Sequence, residues 1–427
     1  MYFSIRALVA RNEKRIHILK NALAIRLCNQ TYKTSIGKMD LSTSAIVVDE
    51  IYSESANKTA DSIILEDIDI LCRRGRLTEA VGTLHHLNPA DLKVRFDVYS
   101  CLLQWCVQMK SLSEGKRVHS HIIKMNFSLG IVLGNNLINM YAKCGSLVDA
   151  QQVFDKMPLK NMCSWNTTLA GYTISGNLEY AMEMFDKMLE QDAVSWTVMI
   201  ASYRQHGYYK GSLHLYEQML EAGTMPNQFT FTSVLSACTS LAVLEQGKRV
   251  HGHIVKFGLC PYVAVGNALV SLYAKCGSIE EARRMFDNMP VRNAYSWNTL
   301  IGAYIQSGDL HFARALFDKM PARDVVSWNS MISGYSQHGF DKEGIQLFVE
   351  MQQDGMKPDL FTCTSVLTAC ANIESLKQGK KTHAHVIRIG LEMDGTVGNS
   401  LVSMYAKCGN KDDAHFVFEK MPELNVV

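Results

Sequence analysis

From residue 96 to residue 425 the apolar positions follow a helical spacing that stops and restarts twice in every 31 or 35 residues. The stretch 325–359 shows the form. "VVSWNSMISGYSQHG" at 325–339 places apolar side chains at helical intervals and ends in Gly339, and "FDKEGIQLFVEMQQDGMKPD" at 340–359 is a second amphipathic helix with Pro358 near its end. Glycine holds the fifteenth place of seven units, at Gly145, Gly176, Gly207, Gly277, Gly308, Gly339 and Gly409. A glycine just past a helix can take the left-handed conformation that closes it. Shorter units stop at Met-Pro instead, at Pro158, Pro290, Pro321 and Pro422, because proline forbids continuation. The twentieth place is small throughout (Ala150, Ala282 and Gly344, for example) and is glycine at Gly115, Gly247 and Gly379. That predicts a close crossing of the two helices of one unit, where a larger side chain would overpack.

The pattern is restated at a fixed interval. "NMYAKCGSLVDA" at 139–150, "SLYAKCGSIEEA" at 271–282 and "SMYAKCGNKDDA" at 403–414 each begin 132 residues after the last. Aligning on these, and on the recurring "SWN" or "SWT", gives units 96–130, 131–161, 162–192, 193–227, 228–262, 263–293, 294–324, 325–359, 360–394 and 395–425, with a degenerate one at 61–95. Residues 426–427 would begin another unit, so the chain is expected to be a truncated form of a longer array. A two-helix unit cannot bury its own apolar face, so neighbours must stack into an all-α solenoid.

Charge changes the picture at one end. The sequence holds 43 Lys+Arg against 41 Asp+Glu, yet residues 1–38 carry +7, with Glu13 as their only acid, which leaves about −5 for the rest. The basic, acid-poor, amphipathic opening predicts an organelle transit peptide over 1–38, mitochondrial before chloroplast, followed by a linker at 39–60. No run of about 18 apolar residues is present to span a membrane. The twelve cysteines include no Cys-x-x-Cys pair, and Cys144, Cys276 and Cys408 stand one to a repeat, so each is expected to be a small buried apolar residue rather than a metal ligand. The pairs His119/His121, His251/His253 and His383/His385 lie two apart on a helix and point in different directions. They predict helix packing, and no metal or other cofactor is expected.

Packing leaves one polar feature over. The fifth place reads Asn135, Asn166, Thr197, Thr232, Asn267, Asn298, Asn329, Thr364 or Asn399. The last place reads Asn161, Asp192, Asn227, Asn293, Asp324, Asp359, Asp394 or Asn425. The long units 96–130 and 228–262 depart from the pattern, Ser100 pairing with Gly130 and Thr232 with Tyr262. The last-place residues also suit the N-caps of the helices that follow. Capping does not require the same choice at the fifth place, however, and the pair together predicts a ladder of hydrogen-bonding groups.

With these motifs the chain resembles the pentatricopeptide repeat proteins over 61–425, and within them the plant subclass with alternating long, short and ordinary units. "FTSVLSACTSLAVLEQGKRVHGHIVKFG", "GNALVSLYAKCGSIEEARRMFDNMP" and "SWNSMISGYSQHG…MKPD" carry the resemblance. It implies a right-handed superhelical solenoid of stacked helix-turn-helix repeats that binds single-stranded RNA, one base per unit, with the fifth and last places selecting the base. Carried over, Asn135/Asn161, Asn267/Asn293 and Asn399/Asn425 imply a pyrimidine. Asn166/Asp192, Asn298/Asp324 and Asn329/Asp359 imply U, and Thr197/Asn227 implies A. The implied target is 5′-YUANYUUNY-3′. Val132, Val194, Tyr295 and Val326, at the second place, would flank the bases, and Lys143, Lys275 and Lys407 are candidate phosphate contacts. The resemblance also implies a part in C-to-U editing or other processing of organelle transcripts, with deaminase activity supplied by partner proteins. The zinc chemistry of that reaction needs His-x-Glu and Cys-x-x-Cys, and neither occurs in the sequence, so the chain is not expected to be an enzyme. The alternative is a helical scaffold for a protein partner, which the mildly acidic repeats favour.

Overall fold

The computed structural model describes residues 68–86, 92–126, 129–391 and 394–421. The expected transit peptide and linker, the start of the degenerate unit, Pro422 and Asn425 lie outside the described residues. Those described form helices and turns with no strand. First helices run Ile131–Lys143, Met162–Ile174, Ala193–Gln205, Gln228–Leu241, Val263–Lys275, Ala294–Gln306, Val325–Gln337, Leu360–Asn372 and Gly395–Lys407. Leu92–Gln108 is longer and starts four residues before place 96. Second helices follow after short turns, as Leu147–Lys156 follows Ile131–Lys143.

The chain divides into two compact units, residues 1–202 with 222–225 and residues 203–221 with 226–427. In the first, Leu92–Gln108, Ile131–Lys143 and Met162–Ile174 pack side by side in chain order, each also lying on the second helix of its own repeat. In the second, the six first helices from Gln228–Leu241 to Gly395–Lys407 form a row of the same kind. Aromatic residues lock neighbouring repeats edge to face. Phe154 meets Trp165 and Phe185 meets Trp196 in the first unit, and Phe286 meets Trp297 and Phe317 meets Trp328 in the second, at centroid distances of 4.7–4.9 Å. Such pairs contribute about 0.5–1.5 kcal/mol each beyond their burial.

Helix ends follow the glycines. All seven fifteenth-place glycines have φ between +74° and +85°. In the long repeats that place is taken by Lys110, Ala242 and Glu374, which adopt the same left-handed turn at φ +50° to +54°.

The twentieth-place glycines correct one expectation. A Cβ on Gly115 would collide with Met140, on Gly247 with Leu272 and on Gly379 with Met404, each in the first helix of the following repeat. The close approach is therefore between repeats rather than within one. Gly344, beside the Ile332 carbonyl of its own repeat, keeps the expected form.

Histidines tie the same junctions. His119 Nδ1 bonds Tyr141 Oη at 2.8 Å, His251 bonds Tyr273 at 2.9 Å and His383 bonds Tyr405 at 2.8 Å, so the tyrosine of each "YAKCG" is held by the repeat before it. The second histidine of each pair faces the other way, His121 to Tyr99, His253 to Tyr216 and His385 to Gln352. Among the described residues no group of three His, Cys, Asp or Glu side chains is arranged to hold a metal ion. Cys144, Cys276 and Cys408 are only half-buried, against expectation, whereas Cys106, Cys238 and Cys370 are buried, and burial pushes each of the latter thiols up to about 12.

Candidate nucleic-acid interface

The site is built from the starts of the first helices. Asn161, Asn227, Asn293, Asp324 and Asp359 are N-caps with extended backbones, and each side chain accepts from the backbone N–H three residues on. Ser164, Thr230, Ser296, Ser327 and Thr362 stand at that third position and return the bond, their hydroxyls accepting from the cap N–H at 3.1–3.4 Å. The last-place residues are thus caps, with the structural part that their position before a helix allows. A capped and reciprocated start contributes about 1 kcal/mol and fixes where the cap side chain points.

It points at the fifth place of its own repeat, one first helix back from the helix it caps. Asn166 Nδ2 donates to the Asp192 carboxylate at 3.2 and 3.3 Å, Asn298 to Asp324 at 3.1 and 3.3 Å, and Asn329 to Asp359 at 3.0 and 3.1 Å. Asn267 Nδ2 donates to Asn293 Oδ1 at 3.3 Å. One carboxylate or amide oxygen therefore serves the helix start and the neighbouring amide together. Burial works to raise the Asp359 carboxyl, but the Thr362 N–H and hydroxyl, the Asn329 amide and the Phe361 N–H outweigh it and hold the group below its ordinary value.

Four other pairs stand differently. Asn161 Oδ1 accepts from the Ser164 N–H and hydroxyl, while Asn135 Oδ1 is buried with no hydrogen-bond partner. The Thr197 hydroxyl donates to the Ala193 carbonyl at 2.6 Å, and Thr197 and Asn227 belong to different compact units. Thr364 donates to the Phe361 carbonyl. Asn399 is exposed, and its counterpart Asn425 lies outside the described residues.

Of the second-place side chains, Val132 (47% exposed), Tyr295 (59%) and Val326 (57%) stand in solvent, and so do Phe229 and Phe361. Val194 departs from the expectation and is half-buried. Second and fifth places lie three residues apart on a helix, on one face. Each such repeat of the second compact unit therefore presents an exposed apolar or aromatic group beside a polar one. Lys143, Lys275 and Lys407 are exposed at the last residues of their helices. They lie eight residues, about 12 Å along the axis, from the fifth place.

The third-place hydroxyls also belong to this site, although in the sequence the serine of "SWN" reads only as a marker of the repeat. Ser164, Ser195, Thr230, Ser296, Ser327 and Thr362 are all fully buried. The signal is the recurrence of Ser or Thr three places after Asn161, Asp192, Asn227, Asn293, Asp324 and Asp359.

The PPR repeat model matches residues 135–162, 163–192, 267–293, 295–325 and 399–426, and the PPR repeat family model matches 191–240 and 323–372. A putative mitochondrial pentatricopeptide repeat-containing protein of Arabidopsis thaliana is 33% identical over 360 residues, covering 84% of this chain and 47% of the relative. A second Arabidopsis thaliana protein of that description is 48% identical over 330 residues, covering 75% and 42%. A chloroplastic one is 33% identical over 84% of this chain and 34% of its own length. The chain thus spans a third to a half of the length of these relatives. The solved structure of the maize pentatricopeptide repeat protein PPR10 aligns with 91% of this chain and 59% of that one, at 18% identity and a TM-score of 0.49.

Proposed function

Because this chain belongs to the pentatricopeptide repeat family, we propose that it binds single-stranded RNA sequence-specifically, one base per repeat, in the order 5′-YUANYUUNY-3′. The observation that carries the reading is the bonded fifth-and-last pair. Asn166/Asp192, Asn267/Asn293, Asn298/Asp324 and Asn329/Asp359 each bond the fifth place of a repeat to the cap of the next first helix, and in the last two of these repeats an exposed Tyr295 or Val326 stands at the second place of the same helix as the asparagine. A pair of this kind offers a base edge an amide donor and a carboxylate or amide acceptor in fixed relation, and an exposed ring or branched side chain offers a stacking face. Packing does not need the ring or branched side chain in solvent.

The target belongs to an organelle transcript, with mitochondrion preferred to chloroplast on the basic opening segment; the relatives include proteins described as one or the other. The part played there is recognition of a C-to-U editing site, or of another processing site, with partner proteins supplying the chemistry. The sequence has neither His-x-Glu nor Cys-x-x-Cys, so the chain itself binds without catalysing.

A gel-shift titration with RNA containing 5′-YUANYUUNY-3′ against a scrambled RNA of equal composition tests the reading. Preference for the coded RNA is expected. Equal, weak binding to both would sink it and favour the second reading, a scaffold for a protein partner, which the net acidity of the repeats supports.

A further inference from the structure

An asparagine amide can present a base with either its oxygen or its nitrogen, and a half-turn of the group inverts donor and acceptor. Something must choose. Thr362 Oγ1 lies 2.5 Å from Asn329 Oδ1 and 2.8 Å from Asp359 Oδ1, and Ser296 Oγ lies 2.6 Å from Asn267 Oδ1. The hydroxyl belongs to the following repeat and is fully buried. It donates to the amide oxygen while the cap accepts from the amide nitrogen, so both neighbours specify one orientation and leave the second N–H of the amide for a base.

We infer that the buried third-place hydroxyl, Thr362 for Asn329 and Ser296 for Asn267, is a positioning residue that fixes the amide of the repeat before it and so sets which base that repeat accepts. The inference rests on the RNA reading above. A second observation is independent of these distances. Repeats with asparagine at the fifth place are followed by Ser164, Ser195, Ser296, Ser327 or Thr362, wherever the next repeat is described, and the ordinary repeat with Thr197 there is followed by Thr230. The long repeats, with Ser100, Thr232 or Thr364 there, are followed by Leu133, Val265 or Val397. Capping alone does not demand the hydroxyl, since Asp394 caps its helix with Val397 three places on.

Three junctions show the same hydroxyl turned aside. Ser164 donates to Asn161 Oδ1 at 3.0 Å, Ser195 to the Asp192 carbonyl at 2.8 Å and Ser327 to the Asp324 carbonyl at 2.7 Å, and Asn135 Oδ1, Asn166 Oδ1 and Asn298 Oδ1 are buried without a hydrogen-bond partner. Rotation about a single side-chain bond redirects each hydroxyl. An unpaired buried oxygen is costly, which favours that rotation once a base holds the amide still.

The test uses the full chain and nonanucleotide RNAs that differ only at the seventh nucleotide, the one assigned to Asn329. Thr362→Val keeps the shape and removes the hydroxyl; Thr362→Ser restores it and serves as the rescue. The preference for U at the seventh nucleotide is expected to fall about five- to tenfold in Thr362→Val, the size of one lost hydrogen bond. The preferences at the other nucleotides should hold, and Thr362→Ser should restore the seventh. A preference that survives Thr362→Val, or one lost equally at every nucleotide, overturns the positioning role. A wild-type chain that binds all the RNAs alike overturns the RNA reading first, before any variant is compared.

Discussion

Ala242 closes the helix Gln228–Leu241 at φ +54°, in a conformation where its Cβ crowds the backbone. Gly277 closes the helix Val263–Lys275 at φ +77° with no such crowding. The two substitutions should therefore act in opposite directions. Ala242→Gly is expected to stabilise by about 1 kcal/mol and Gly277→Ala to destabilise by at least as much, read as shifts in the urea midpoint at constant slope. Equal signs would mean that neighbouring contacts, not backbone strain, decide these turns. At this scale the sequence was informative wherever a residue type answers to one conformation. The seven turn glycines are of that kind. Lys110, Ala242 and Glu374 are not, because a left-handed turn built from such residues has no compositional mark. Ser296 and Thr362 escaped for another reason: the role of a hydroxyl depends on which acceptor it faces, and that acceptor lies 29 residues away for Ser296 and 33 for Thr362.

Helices meet in an order that periodicity only half determines. Spacing assigns Gly247 to an apolar face, but it does not say which helix covers that face, and the neighbour is Leu272 of the next repeat rather than the helix before it. Gly252 stands on the same helix with open space around it. Replacing each by alanine separates packing from propensity. Gly247→Ala should cost about 1–3 kcal/mol, because Leu272 must move, whereas Gly252→Ala should gain about 0.5–1 kcal/mol of helix propensity. If both substitutions stabilise, the junction is looser than its geometry. The histidines give these junctions a pH dependence. Burial lowers the pKa of His251, and burial followed by the Lys156 charge lowers that of His119; His253 and His385 shift the same way, also through burial first. A histidine with a depressed folded pKa takes up its proton more readily unfolded, so its contribution is complete above about pH 6.5 and is lost as pH falls below that. The strongly held carboxylates Asp149, Asp359 and Asp413 are lowered from 3.8 and titrate beneath this window. Thermal midpoints should accordingly fall between pH 6.5 and pH 5, and His251→Gln should flatten part of that fall. A midpoint that holds constant to pH 5 would show these rings to be solvated.

Across the whole chain, electrostatics asks for a different kind of evidence, since the residues beyond 38 carry about −5 and a polyanion is the proposed ligand. Net charge is a poor guide when a local stripe does the binding, and ionic strength distinguishes the two. Each phosphate neutralised on a single strand releases counterions and steepens the fall of log K against log salt by about 0.7. Lys275 is exposed at the end of its helix, about 12 Å from the fifth place, whereas Asn329 is buried within its pair. Lys275→Gln should then reduce the salt slope by about 0.7 and weaken coded and scrambled RNA alike, leaving their ratio unchanged. Asn329→Thr should do the reverse. The slope stays and the ratio moves, because preference at the nucleotide it faces passes from U toward G. The two variants differ in kind because a phosphate carries charge without sequence and a base edge carries sequence without charge. A flat salt response in the wild-type chain would remove the phosphate stripe and leave the scaffold reading ahead. If Lys275→Gln altered the ratio, or Asn329→Thr altered the slope, the division between phosphate-contacting and base-reading places would have to be redrawn.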